Sequence, residues 1–568
     1  MTGLSSLGAN ITNPFRFLEN KFTEEDDLLW TKGSHNIHFG MHVRRHQINS
    51  FNYTYWNGQY TFPSLVAFLT GAPSAVVIAP PGLAYGNRDF RDISLKPYVE
   101  DDWKVSRKLT INVGLRYEFQ TNPTEQHNNL SNVVNPPFGT GFTHVDHAFR
   151  DNPNVWNLDP RFGLAYDVKG DHKTSVRAGF GMFHDPAQTY VFFSGYVGTP
   201  PFLAYNQQFP SYPIPFQTGN VAPPLPSLTF GTDYNIHKTP YMMQYNLNIQ
   251  REVFKGSVLT VGYVGSRGVD LLSFRDYNPP VPVILPNGQR QFGNPTTGVS
   301  YTRINPAFGS LVLTNPSSSS HYNSLQTSWN NRFSRGFLGN LSYVYSHCTD
   351  GAYTYGGLGG NNGTSSWTDP YDGSKERGNC GFDIRHNLSL NLVYVLPFRG
   401  NRLVEGWQLS GIELWRTGVP MSVGIGYDRG LLSNNFSSQR PNVIAGCDET
   451  AGQSPAHWFN PACFTLPAPG TLGDLGKNTV TAPGYVSTDA SLSKDTRLFE
   501  RLTVQFRAEV FNIFNHTNFG IPALNAFTAV GGLTGSPTGL LGNAANAGQI
   551  TSTVGTSRQV QLALKFLF

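Results

Sequence analysis

Apolar and polar residues alternate with a period of two along much of the chain. The alternation comes in segments of about ten residues, the length a tilted strand needs to cross a bilayer. Leu109, Ile111, Val113, Leu115, Tyr117 and Phe119 share one face, while Thr110, Asn112, Gly114, Arg116 and Glu118 share the other. Leu502, Val504, Phe506, Ala508 and Val510 likewise oppose Thr503, Gln505, Arg507 and Glu509. Leu388, Leu390, Leu392 and Tyr394 do so against Asn387, Ser389, Asn391 and Val393. A helix would place apolar residues at i, i+3 and i+4, which these segments do not. They read as strands.

The strands come in pairs. Candidate hairpins run over about 35–60, 92–119, 158–184, 240–266, 321–347, 383–420 and 484–514, with a last strand at 557–568. Most links inside a pair are tight, as at Asp167-Val-Lys-Gly-Asp-His-Lys173, Phe254-Lys-Gly256, Phe333-Ser-Arg-Gly336 and Leu498-Phe-Glu-Arg501. Between pairs lie long stretches rich in Gly, Pro, Asn and Ser: 185–238, 273–320, 348–382, 421–483 and 516–556. Short turns at one end and long loops at the other are the asymmetry of an outer-membrane barrel. A soluble propeller would repeat every 40–50 residues or so with constant loops, and the spacing here is irregular.

The faces carry the same message. Apolar rows end in aromatics, as in Phe337, Leu341, Tyr343 and Tyr345 or Trp407 and Trp415, where girdles would meet the membrane–water interfaces. The opposite rows carry Arg, Glu, Asn and Gln, residues suited to a wet lumen. A two-sheet sandwich with one wet face per strand is the competing architecture.

Composition narrows the class without settling it. Of 568 residues, 14% are charged, well under the roughly 25% usual for soluble domains. Aromatics reach 13%, with 59 Gly and 39 Pro. The mean hydropathy of -0.29 is mildly polar. No run approaches the roughly 18 apolar residues of a membrane helix; Ala75 to Ala79 is stopped at once by Pro80 and Pro81. A net charge of +4, thinly spread, gives no nucleic-acid footprint. Both a transmembrane barrel and a large soluble β-protein fit. Cys348, Cys380, Cys447 and Cys463 lie in loop-like stretches, and two local disulfides, 348–380 and 447–463, are expected in an oxidising compartment.

The last strand is the sharpest local feature. Val560, Leu562, Leu564, Phe566 and Phe568 alternate to the end of the sequence. A lipid-facing row closing on an aromatic resembles the assembly signal of bacterial outer-membrane proteins. That resemblance implies capture of the terminal strand, by edge pairing, by the barrel-assembly machinery.

Longer strings resemble the TonB-dependent receptor-like outer-membrane proteins of the Oar-like (OmpA-related) type. They are Pro97-Tyr-Val-Glu-Asp-Asp-Trp-Lys-Val105 running into Leu109-Thr-Ile-Asn-Val-Gly-Leu-Arg-Tyr-Glu118; Thr239-Pro-Tyr241, Asn246-Leu-Asn-Ile-Gln-Arg251 and Tyr263-Val-Gly-Ser-Arg-Gly268; and Asp383-Ile-Arg-His386 with Tyr394-Val-Leu-Pro-Phe398. Trp458-Phe-Asn-Pro-Ala-Cys-Phe464 and Arg507-Ala-Glu-Val-Phe-Asn-Ile-Phe-Asn-His-Thr-Asn-Phe-Gly520 complete the set, in order from about residue 25 onward. The resemblance implies an all-β fold: a large antiparallel transmembrane barrel of roughly 22 strands, with long external loops and short periplasmic turns. About fifteen of those strands are countable in this chain.

It also implies an importer or receptor closed by an N-terminal plug and driven by the TonB complex. The N-terminal text shows no signal peptide, TonB-box-like leader, plug or carboxypeptidase-regulatory-like sandwich. Residues 1–34 are therefore expected to be a leading segment, either partial strand or loop, ahead of a barrel over 35–568 that is a fragment of the family pattern. Expected partners are outer-membrane lipid, the assembly machinery, an unidentified ligand, and TonB only through a plug. A passive pore or adhesin, and a soluble glycan-binding β-protein, are the alternatives.

No enzyme site and no cofactor are expected. Ser491-Leu-Ser-Lys494 matches an S-x-x-K string, but it lies on an alternating strand and lacks its S-D-N and K-T-G companions. His35, His38, His42 and His46 fall within twelve residues, yet on a strand His38 and His42 are roughly 13 Å apart, too far to share an ion. Glu24-Glu-Asp-Asp27 and Glu100-Asp-Asp102 lack a calcium-loop pattern and read as solvated turns. The glycine-rich Gly356-Gly-Leu-Gly-Gly-Asn-Asn-Gly363 reads as a flexible loop.

Overall fold

A computed structural model describes residues 7–8, 13–52, 58–62, 64–73, 75–78, 86–186, 196, 199, 202, 206–208, 228–334, 336–351, 367–432, 439–529 and 541–568. Fifteen long strands form one antiparallel meander in which each pairs with the next along the chain. They are β1 Phe15–Lys32, β2 His35–Asn52, β3 Asn87–Trp103, β4 Leu109–Tyr117, β5 Leu158–Asp167, β6 Thr174–His184, β7 Tyr241–Phe254 and β8 Ser257–Asp276. β9 Ser310–Ser334, β10 Phe337–Asp350, β11 His386–Val395, β12 Trp407–Arg416, β13 Tyr485–Phe499, β14 Leu502–Phe511 and β15 Gln559–Leu567 follow. Short strands such as Leu228–Thr232 and Gly378–Asn379 bring the sheet to 19. No helix among the described residues is long and apolar enough to cross a membrane.

Connections alternate strictly. Those after β1, β3, β5, β7, β9, β11 and β13 are short, down to the two residues Gly33-Ser34, Lys255-Gly256 and Glu500-Arg501. Gly33 and Gly256 sit at φ +60 and +79, a left-handed conformation that a residue with a Cβ adopts only at a cost. The connections after the even strands are the long ones. Long external loops and short periplasmic turns follow directly.

Register sorts the side chains by face. Val113 pairs with Phe162, Phe162 with Phe180 and Phe180 with Tyr245, all on one side. Arg116 pairs with Tyr98 on the other. The apolar side stays open: Val113, Leu115, Leu247 and Ile249 are each about half exposed. Among the described residues no second sheet packs on that face, as a sandwich would require.

Three expectations change. The hairpin placed at 35–60 is a single strand, β2, whose hairpin partner β1 lies before it in register from Phe15↔Asn52 to Lys32↔His35. The sheet thus starts ahead of residue 35, with residues 33–34 as a turn. The acidic runs Glu24–Asp27 and Glu100–Asp102, read as turns, lie in the middle of β1 and the lower part of β3. Full-length pairing with β2 satisfies their backbones, and that overrides the poor strand propensity of Asp and Glu. Finally, several strands far exceed the span of a bilayer. β9 has 25 residues, and its upper part stands above the membrane.

The largest hydrophobic core lies in the loops and gathers Met421, Val423, Phe459, Phe464, Val480 and Phe527. Another joins Leu130, Phe149 and Tyr196 to Ile48 and Phe90 at the loop ends of β2 and β3. Among the described residues, β1 pairs only with β2 and β15 only with β14. No described pairing joins the first strand to the last.

Candidate functional site

Two regions position chemistry: the polar inner wall and the cap built by the external loops. On the inner wall, Lys96 Nζ of β3 lies 2.5 Å from Glu118 Oε2, just past β4. Arg116 of β4 closes on the same carboxylate at 2.9 Å, as an ion pair without hydrogen-bond alignment. Asn112 donates to Asp102, and Tyr98 to Asp27. Strand alternation puts these groups on one face, and neighbouring register lets acids meet bases. A hydrated lumen tolerates such a surface; lipid does not.

The residues singled out for chemistry disperse. His38, His42 and His46 share the inner face, whereas His35 is on the outer face with its Nδ1 2.6 Å from Asp101. Among the described residues, no three His, Cys, Asp or Glu side chains gather around a possible ion. Ser491 and Lys494 point to opposite faces of β13. Lys494 Nζ instead donates to the carbonyls of Arg402 and Glu405 at 2.8 and 2.5 Å, closing the turn below β12. The glycine-rich 356–363 lies outside the described residues.

The cap is where sequence reasoning saw only loops. Cys348 is bonded to Cys380 and Cys447 to Cys463, each pair with Cα atoms 5.4 Å apart. Asp383 accepts from the Cys348 N–H at 2.8 Å and from Arg385 at 3.0 Å, fixing the corner above β10. Arg303 holds Asp276 at 3.2 Å and donates across to the Leu432 carbonyl at 2.8 Å. Asn305 donates to the carbonyls of Pro137 and Gly139, tying in yet another loop.

At the centre, Arg440 and Glu376 form a pair whose side chains are each 3% exposed. Two guanidinium nitrogens donate to the two carboxylate oxygens at 3.1 Å. Arg440 Nε donates to the Leu475 carbonyl, and Nη2 donates to that of Lys375 as well. Glu376 also accepts from the Thr368 N–H at 3.0 Å. Burial by itself would raise the Glu376 pKa, but the Arg440 charge and these hydrogen bonds outweigh it, and the carboxyl titrates below its ordinary value.

A signal for the cap was present in the sequence. Met421, Val423 and Ile425 alternate, and Trp458-Phe459 stands in a supposedly polar loop. All of these belong to the largest core or pack on it. The strings quoted for the family resemblance are structural anchors too: Asn518 brackets Val486 through both its N–H and carbonyl, at 2.8 Å each.

Aromatics mark the two rims of the outer wall. Phe337, Tyr394, Trp407 and Phe499 lie near the short-turn end, while Tyr345, His386 and Trp415 cluster near the loop end with ring centroids 5.0 and 5.9 Å apart. Trp407 and Trp415 are eight residues apart on β12, roughly 26 Å along the strand, which suits a tilted crossing of the apolar band.

Several solved structures are similar to this chain. The chain aligns over 97% of its length with the outer membrane transporter YddB from Escherichia coli, at 12% identity and TM-score 0.48, covering 54% of that chain. It aligns similarly with the ferripyoverdine receptor of the outer membrane of Pseudomonas aeruginosa (11% identity, TM-score 0.46, 97% of this chain and 48% of that one). The ferric yersiniabactin uptake receptor FyuA from Yersinia pestis gives 11% identity and TM-score 0.41, over 98% of this chain and 55% of the other. The chain thus spans about half the length of these structures. No curated protein matches it. Residues 1–561 match the outer membrane beta barrel domain, so the chain belongs to that family and its apolar wall is the lipid-facing surface of a bacterial outer-membrane barrel.

Proposed function

We propose that this chain is the barrel of an outer-membrane importer or receptor of the TonB-dependent, Oar-like type, not an enzyme. The observation that carries the reading is the pairing of a charged inner wall, around Lys96, Arg116 and Glu118, with a folded external cap. A wall of this kind passes polar cargo, and a knitted cap presents a fixed surface to it. The family strings over residues 97–118, 239–268 and 383–398 support the same assignment. In this reading the two disulfides hold the cap outside the cell. The row Val560, Leu562, Leu564, Phe566 and Phe568, half or more exposed on β15, is the strand that the assembly machinery captures. Coupling to TonB runs through a plug.

Solution behaviour and conductance test the proposal together. The protein is expected to need detergent, and the assembled barrel to show no steady conductance in planar bilayers because its lumen is gated. Monodisperse behaviour without detergent would favour the soluble glycan-binding alternative, and a steady channel the passive pore or adhesin.

Among the described residues no strand pairs with the outer edge of β1 or of β15, which adds a second expectation. Backbone N–H and C=O groups facing lipid must be paired, so closure is proposed to require strands beyond these fifteen. Expressed alone with an added signal peptide, residues 1–568 should not give heat-modifiable, protease-resistant material in outer membranes. Obtaining such material would show that the fifteen strands close by themselves.

A further inference from the structure

The outer wall is not uniformly apolar. Along β12 the lipid-facing row reads Trp407, Leu409, Gly411, Glu413, Trp415. Glu413 is out of place there, since a carboxylate in a lipid-facing row costs stability and a Leu would not. It sits two residues below Trp415, roughly 7 Å along the strand, and so in the outer leaflet. Thr488 on β13 donates to one of its oxygens, and among the described residues no hydrogen bond occupies the other.

Beside it the wall is indented. Gly411 pairs with Leu392 on one side and Ala490 on the other, leaving a hollow where neighbouring rows carry large side chains. The groove encloses about 570 Å³, within the roughly 300–1,000 Å³ of ordinary ligand sites. Its apolar sides are Phe337, Leu390, Leu392, Tyr394 and Leu409, and Glu413 with Thr488 closes its upper end. From Leu409 to Glu413 it runs about 13 Å along the strand.

We infer that this groove is a lipid site: it holds the acyl chain of an outer-leaflet lipid that carries a hydroxyl or amide donor close to its head group. The chain lies over Gly411 and Ala490, and the donor bonds the free oxygen of Glu413. Membrane placement supplies the occupant, because hydrocarbon covers this face. The polar end supplies the selectivity, because a plain acyl chain leaves the Glu413 oxygen without a partner, and an unmade bond in a medium without water is costly. The inference rests on outer-membrane location alone and is independent of transport.

Two substitutions separate the parts of the site. A Cβ at Gly411 would meet only the Asp489 carbonyl, at an ordinary 3.5 Å, so Gly411→Leu fills the groove without disturbing the backbone. Glu413→Leu keeps the groove and removes its polar end. The assembled barrel, with the strands that close it, would be purified from outer membranes and placed in phosphatidylglycerol nanodiscs doped with a 3-hydroxytetradecanoyl or a plain tetradecanoyl glucosamine lipid. Retained lipid would then be counted by native mass spectrometry.

Wild type should retain the hydroxylated lipid in clear preference to the plain one. Glu413→Leu should retain both equally, and Gly411→Leu neither. Equal retention of the two lipids by wild type, or unchanged retention in Gly411→Leu with the barrel still folded by circular dichroism, would overturn the assignment. So would a lipid-free dimer through this face, which would make a second copy the occupant.

Discussion

Arg440→Met is expected to undock the external cap while leaving the barrel wall intact. Removing one partner of a buried, hydrogen-bonded ion pair typically costs about 3–5 kcal/mol, because the other charge stays buried and uncompensated. Here Glu376 would lose both guanidinium donors, and the carbonyls of Leu475 and Lys375 would lose theirs as well. At ~1.4 kcal/mol per decade, local opening should rise by roughly two to three orders of magnitude. Hydrogen exchange across 367–385 reads this directly, with the amides of β10 to β12 as the internal control. Unchanged exchange in the cap would mean that the pair does not hold it. Replacing both partners, Arg440→Met with Glu376→Leu, should restore much of the protection, since no charge is then stranded.

Acid should act on the same latch. The Glu376 carboxyl titrates below its ordinary 4.5 when the cap is closed. A depressed pKa gives stability that is present above the open-state value and is lost as pH falls through the closed-state value. Cap protection should therefore hold at neutral pH and fall off below about pH 4.5. Glu376→Gln should flatten that dependence.

Leu392→Arg should cost about 2–4 kcal/mol in barrel stability, the penalty for a cation at the midplane of a lipid-facing row. Leu392 of β11 pairs with Gly411, midway between Trp407 and Trp415 on β12, and with Gly339 on β10, on the same face. Its neighbour Asn391 faces the lumen beside Asn340 and Ile412, where Asn391→Arg is solvated and should change stability little. Urea midpoints of the two variants in the same lipid make the comparison. A larger penalty for Asn391→Arg would mean that the two faces have been assigned the wrong way round, and equal penalties that the two faces meet the same medium.

That pair of substitutions also shows why the wall was legible without coordinates. A period-two pattern fixes which residues share a face, because a one-residue slip would turn every lipid-facing side chain inward. Val113, Leu390 and Leu564 were thus placed by their neighbours in sequence. The asymmetry of turns follows from equally local chemistry, as at Lys255-Gly256. Three features were not local. The acidic run Glu24–Asp27 became strand because its partner, β2, supplies a complete ladder, and no local propensity reports the partner's length. The cap was hidden because Arg440 and Glu376 are separated by 64 residues, and the segments that bury them look like loops one at a time. The groove at Gly411 exists only because β11 and β13 set Leu392 and Ala490 beside it.

The sequence by itself determined the class of fold, the lipid and lumen faces, the alternation of turns and loops, and the outer-membrane location, because each is written in residues a few positions apart. Tertiary structure decided how far the strands run beyond the membrane, how the loops close into a cap, and where the outer wall is hollow. Those depend on cross-strand register and on contacts between distant segments, which one-dimensional periodicity does not encode.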